Sequence, residues 1–248
     1  MTSITIRGLV AGYGQGDILR GVDIEVASGS IVCVVGPNGA GKSTVLKAIS
    51  GLVRCRLGSI EIGDTPVIGR SAREVLEFGA VHVPQERSLF PLMTVWDNVL
   101  IGGHVLRDQR LVRRRAEALA ERFPLIRERR RDQAGELSGG QQKLIEIARA
   151  LLLEPKVILM DEPSMGLDPR SRHMVFDTIR TLNEGGRTVL LVEQNARAGL
   201  AIAHEGVVMD AGVVRLTETG AELLADPRVA ELYLGAAAAD AAGEHVVP

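Results

Sequence analysis

At 248 residues the chain is long enough for one large domain or two intimate ones, with ample material for a core. Its 46% hydrophobic and 24% charged residues are ordinary for a globular protein, and a net charge of −2 gives no whole-chain basic excess to argue for nucleic acid. Cys33 and Cys55 make neither a disulfide framework nor a metal spacing. The start MTSITIRGLV does not read as a secretion signal, and no apolar run approaches membrane-spanning length. A role at a membrane is therefore expected to run through a partner.

In chain order, SITIRGLVAGY and ILRGVDIEVA read as N-terminal strands, with β-branched residues and partial alternation. IVCVV (31–35), VILMD (157–161) and TVLLVE (188–193) are short and continuously apolar, as central parallel strands buried on both faces are. Helices are expected after each, at 42–51, 170–183 and 195–203. Strand alternating with helix indicates an α/β layered core. Between Pro84 and Pro155 strand signals vanish and helical patterns succeed one another, so a helical subdomain inserted at 85–155 is predicted. Within it Leu111, Ala116, Leu119 and Phe123 are expected to share one apolar face. The arginine-rich pieces RLVRRR (110–115) and RERRR (127–131) read as solvated helix faces, since no aromatic residues interleave with them. Residues 236–248 carry no packing pattern and are expected to be mobile.

GPNGAGKST (36–44) fits the G-x-x-x-x-G-K-[ST] pattern in its required context, after an apolar strand and before a helix. Gly36, Gly39 and Gly41 permit a tight loop whose N–H groups surround phosphate oxygens. Lys42 adds positive charge near the β- and γ-phosphates, and Ser43 offers a hydroxyl to Mg²⁺. At the end of VILMDE, Asp161 can hold Mg²⁺ through its water shell, and Glu162 can orient or deprotonate a water. A neighbouring carboxylate and partial burial would raise the Glu162 pKa, which suits a base. Together these residues predict a nucleotide triphosphatase. ELSGGQQ (136–142) poses a further question: Ser138 reads as an N-cap, and Gly139 and Gly140 expose N–H groups where a helix begins, which favours an anion. One P-loop and a second anion-binding helix start in the same chain imply two chains sharing nucleotides.

LSGGQ (137–141), the P-loop, VILMDEP and SMGLD (164–168) together resemble the ATPase subunits of ABC transporters, in order and spacing, over residues 3 to about 235. The resemblance implies a P-loop NTPase core with a mostly parallel sheet, an N-terminal antiparallel β subdomain and the inserted helical subdomain. That is a single ATPase domain over 1–235, with core segments 1–84 and 156–235. It implies that Gly36, Pro37, Asn38, Gly39, Ala40, Gly41, Lys42, Ser43 and Thr44 bind ATP, and that Tyr13 stacks on adenine. It implies that Gln85 senses Mg²⁺ and the attacking water, that Ser138, Gly139, Gly140 and Gln141 serve the partner's nucleotide, and that Asp168 helps align the two chains. One position departs: where the family usually has a γ-phosphate-contacting His, this chain has Gln194, which can donate a hydrogen bond but carries no proton at neutral pH.

That glutamine, with LFPLMTVWDNV (89–99) and LADPRVAELYLG (224–235), is similar to one ATPase subunit of branched-chain amino acid importers. The resemblance implies ATP and Mg²⁺ as cofactors, a second ATPase subunit, two membrane permeases, a periplasmic binding protein and a place on the cytoplasmic face of the membrane. No nucleic acid partner is expected. Alternatives are an importer of another substrate, such as urea or amides, and an ABC-type ATPase acting on DNA or ribosomes. Relatives of the latter kind usually carry two ATPase domains or a long coiled coil, and neither pattern occurs here.

Overall fold

The computed structural model describes residues 2–229; the expected tail 236–248, and the end of the 224–235 segment, lie outside them. Strands β1 (Ile4–Gly12) and β2 (Leu19–Val26) pair antiparallel. After β3 (Ile31–Val35) and α1 (Lys42–Ile49), the chain returns through β4 (Arg54–Ile62) and β5 (Thr65–Pro66) to complete an antiparallel sheet of order β2-β1-β4-β5. Helix α2 (Ala72–Glu77), started by a capping box from Ser71 and Glu74, leads into β6 (Ala80–Val83).

Four helices then follow without an intervening strand: α3 (Val95–Ile101), α4 (Gln109–Arg122), α5 (Pro124–Glu128) and α6 (Gly139–Leu151). The chain re-enters a sheet at β7 (Val157–Asp161), continues through α7 (Pro169–Glu184), β8 (Thr188–Val192) and α8 (Ala196–Leu200), and forms the hairpin β9 (Glu205–Asp210) and β10 (Val213–Thr219). Helices α9 (Gly220–Ala225) and α10 (Pro227–Val229) close the described chain.

The second sheet has the order β10-β9-β3-β8-β7-β6, parallel from β9 to β6 with β10 antiparallel at one edge. Its central strands are apolar throughout because alternate residues enter two different cores. Ile31, Cys33, Val35, Ile158, Met160, Val189 and Leu191 face the helices α3 to α9. Val32, Val34, Val157, Leu159, Leu190 and Val192 face α1 and the antiparallel sheet. A strand buried on both faces has no polar side to show.

The fold is the α/β arrangement the strand pattern predicts, with five of the described strands unread in the sequence, among them the two-residue β5. β4 is mostly exposed and buries only Ile60 and Ile62, so its pattern is weak. β6 has four residues, and β9 and β10 are joined by Ala211 and Gly212, both at positive φ, the two-residue turn of a tight hairpin. The apolar face of α4 also differs from expectation: Val112, not Leu111, is buried with Ala116, Leu119 and Phe123. Gly103 makes the room, since an added Cβ there would come within 2.7 Å of Val112 and Leu152 methyl carbons. Of the arginine-rich pieces, Arg110, Arg113, Arg114, Arg127 and Arg131 are exposed. Arg115 pairs with Glu154, and Arg130 forks onto Glu117 while stacking over Trp96.

Candidate active site

The strands β3, β7 and β8 are neighbours in register, Val34 beside Val192 and Val192 beside Asp161. The segments leaving their carboxyl ends therefore converge on one edge of the sheet, where α/β proteins bind ligands. The first is the loop 36–41. Gly36 has φ 150°, and a Cβ there would stand 2.0 Å from the Met209 carbonyl oxygen of β9, so the loop's first position tolerates only glycine. Gly41, at φ 97°, caps α1.

Lys42 is buried, and its Nζ donates to the carbonyl oxygens of Gly36 at 2.8 Å and Pro37 at 3.0 Å. The ammonium is thus held inside the loop that precedes it. Burial lowers its pKa, and the carboxylates of Glu162 and then Asp161 oppose that.

Ser43 Oγ donates to Asp161 Oδ1 at 2.8 Å, which brings two residues 118 positions apart into one oxygen-donor pair. Glu162, next in the chain, adopts φ 43°, a left-handed conformation uncommon outside glycine, and its N–H donates to Val192 O at 2.9 Å. Gln85 Nε2 donates to Glu162 Oε2 at 3.1 Å and approaches Met165 Sδ at 2.9 Å. Burial pushes the Glu162 carboxyl up, Lys42 pulls it down, and Asp161 adds to the rise.

A cavity of about 390 Å³ is bounded by Asn38 to Thr44, Gln85, Glu162, Met165 and Gln194. It gathers most of the residues singled out in the sequence. Ile18 and Met165 also line it and were not foreseen. Tyr13 is half exposed and lies outside the lining; Gly36, Pro37, Ser138 to Gln141, Asp161 and Asp168 are outside it too. Asp168 caps α7, accepting from Arg170 N and Ser171 N at 3.0 Å, and hydrogen bonding from the Ser171 hydroxyl, then from these backbone N–H groups, holds its carboxyl below the usual range.

Ser138 caps α6 in a capping box with Gln141. Gly140 has a further reason to be glycine: a Cβ would lie 2.4 Å from the Ser171 side chain of α7. Gly140 is buried, and close packing of α6 on α7 is what fixes glycine at this position.

Sequence reasoning missed Glu193. It is buried at the end of the apolar run of β8 and accepts from Ser164 N at 3.1 Å and Ser164 Oγ at 2.9 Å. A glutamate closing an otherwise apolar strand was the available signal. A larger apolar groove of about 550 Å³ lies away from the loop, between β6, α3 and α6, with Phe90, Ile101, Ala150 and Leu153 among its walls. It contains none of the residues that surround the loop cavity.

Residues 19–165 match the ABC transporter family. The chain is 38% identical over 223 residues to the high-affinity branched-chain amino acid transport ATP-binding protein BraG of Pseudomonas aeruginosa, covering 90% of this chain and 95% of that one. It is 35% identical over 238 residues to the lipopolysaccharide export system ATP-binding protein LptB of Escherichia coli, covering 95% and 98%. Among solved structures, an ATP-binding cassette of an ABC transporter in its ADP conformation superposes with a TM-score of 0.83 at 30% identity, covering 95% of this chain and 99% of that one. With the P-loop, the Asp161–Glu162 strand end and the signature helix on one such scaffold, the chain belongs to the ABC transporter ATPase family, whose members couple ATP hydrolysis to transport.

Proposed function

We propose that this protein is an ATP-hydrolysing subunit of an importer for branched-chain or similarly hydrophobic amino acids. In that reading it lies peripherally on the cytoplasmic face of the membrane. It pairs with a second ATPase subunit beneath two permeases that receive substrate from a periplasmic binding protein. The observation that carries the catalytic part is the convergence of Lys42, Ser43, Gln85 and Glu162 on one cavity, with Asp161 bonded to Ser43 behind its wall. The substrate class rests on the likeness to BraG and on Gln194 in place of the family's usual histidine.

In the chemistry proposed, Glu162 accepts a proton from the attacking water as the water oxygen bonds the γ-phosphorus and the β–γ bridging bond breaks. Lys42 offsets the charge developing on the phosphoryl oxygens, and Gln194 donates a hydrogen bond to them. The 2.8 Å pair of Ser43 hydroxyl and Asp161 carboxylate fits Mg²⁺, which takes oxygen ligands and keeps several waters; with Gln85 they would hold the ion. When bound, Mg²⁺ would neutralise the β- and γ-phosphate oxygens. Tyr13, half exposed, is free to stack on adenine. Ser138 to Gln141 stand outside the cavity of their own chain, which favours service to a partner's nucleotide, with Asp168 near the join.

The segment 88–95 supplies the permease contact in this reading. Leu92 is 82% exposed and Phe90 48%, the latter on the rim of the apolar groove. Among the described residues no helix is long and apolar enough to cross a membrane, so substrate passage belongs to the permeases.

The test is co-purification with the permeases into vesicles, followed by ATP hydrolysis with and without binding protein loaded with leucine. Stimulation by leucine supports the reading. Stimulation only by a different solute, urea or an amide, replaces the substrate, and activity dependent on lipopolysaccharide would favour an exporter, the second reading that the likeness to LptB supports. Leu92→Asp should lower transport while leaving hydrolysis by the isolated subunit intact. Loss of folding and basal hydrolysis together would assign the segment to packing.

A further inference from the structure

Glu193 does not line the loop cavity, yet its chain neighbour Gln194 does, and its partner Ser164 adjoins Met165, which does as well. Its N–H donates to Val34 O at 3.2 Å, so its backbone stays with the sheet beside β3. Its side chain passes beneath the turn that follows Glu162. There both Ser164 donors end on the carboxylate, and Asn195 N–H makes a longer third bond at 3.4 Å. Room for it comes from Gly199 of α8, where a Cβ would stand 3.1 Å from Glu193 Cβ and 2.6 Å from Cys33 Sγ. A second cavity of about 250 Å³ has Glu193, Ser164 and Arg172 in its walls and shares Met165 and Gln194 with the loop cavity.

The turn needs such an anchor. A non-glycine residue at φ 43° holds a sparsely populated conformation that persists only where its surroundings over-determine it. On one side of Glu162 stands Asp161 at the end of β7. On the other, the chain reaches Ser164, itself buried, whose two donors both end on one carboxylate. Gln194 is the next residue after that carboxylate.

We propose that Glu193 is a positioning residue for hydrolysis: by gripping Ser164 it sets the turn that aims Glu162 at the loop cavity and keeps that turn in register with Gln194. Burial raises its carboxyl to about 7, Glu162 adds to the rise, and the Ser164 and Asn195 bonds oppose it. Cys33 on β3, Lys42 on α1 and Arg172 on α7 are the other titratable or charged groups around it. Only the ionised form is a pure acceptor for both Ser164 donors. Acid should therefore loosen the grip.

The inference rests on hydrolysis at the loop cavity, and a Glu162→Gln control that remains active would indict that site rather than Glu193. Steady-state hydrolysis by the full chain is compared for wild type, Glu193→Gln, Ser164→Ala and the double variant between pH 5.5 and 9. Glu193→Gln is expected to lower kcat about tenfold with KM for ATP little changed, because the loss falls on the transition state. It should also remove a limb near pH 7. Ser164→Ala should give a similar loss, and the double variant no more than either alone, as expected for two halves of one contact. Unchanged kcat in Glu193→Gln, or losses that multiply in the double variant, would overturn the proposal. Should Glu193→Gln fail to fold, Ser164→Ala, which deletes only a hydroxyl, decides by the same kcat and KM reading.

Discussion

Replacing Glu162 by glutamine changes one atom's chemistry and little geometry. The Gln85 Nε2 bond to Glu162 Oε2 at 3.1 Å can be kept, because a glutamine carbonyl oxygen also accepts. The left-handed backbone at φ 43° is unaffected by the exchange. What disappears is the proton acceptor and the foremost of the three carboxylates, Glu162, Asp161 and Glu193, that favour the charged form of Lys42. A positioned general base contributes about 10²–10⁴-fold, or about 3–5 kcal/mol of barrier. Phosphate release should fall by that factor, while calorimetry with ATP should show affinity retained.

The pH profile adds an independent check. Burial and Asp161 raise the Glu162 carboxyl, and hydrolysis needs it ionised, so wild-type kcat should fall as acid is added through that raised value. The residual rate of Glu162→Gln should lack that limb. Turnover within about tenfold of wild type would refute the assignment of Glu162 as base.

Three further outcomes are expected. Ser138→Arg should leave ATP binding by the single subunit nearly intact and abolish ATP-driven dimerisation on a Glu162→Gln background, measured by sedimentation. Equal dimerisation with and without the substitution would contradict a shared site. Gln194→Ala should slow hydrolysis several-fold, since one such bond is worth about 0.5–1.5 kcal/mol, and Gln194→His should restore the rate with an added limb near about 6.5. A wild-type rate for Gln194→Ala, with the two sites of the assembly assayed separately, would show that the side chain does not reach the phosphate. Finally, because the Glu193 carboxyl rises from 4.5 to about 7 on folding, its stabilising contribution is complete below 4.5 and lost as pH rises through about 7. That is on the order of 3 kcal/mol, so thermal unfolding of the wild type should show a fall in Tm over that window that Glu193→Gln lacks; parallel profiles would count against it.

The catalytic parts are legible in the sequence where chemistry and chain order coincide. GPNGAGKST must be contiguous, because a phosphate is wrapped by consecutive backbone N–H groups, and the fully apolar strand before it betrays burial on both faces. Asp161 and Glu162 are legible for the same reason, sitting at the end of such a strand. The exposed β4 and the four-residue β6 were not, since a strand that buries two residues, or is only a turn long, leaves no period to read.

What only the tertiary structure decided are pairings across long separations. Sequence alone could not place Ser43 on Asp161, Gln85 on Glu162 or Ser164 on Glu193, because each pair depends on the strand order β3-β8-β7-β6, not on spacing. The same holds for Gly140. From sequence it offers backbone donors to an anion. The structure adds that α7 lies too close for any side chain there, a constraint set by helix packing that no local pattern records.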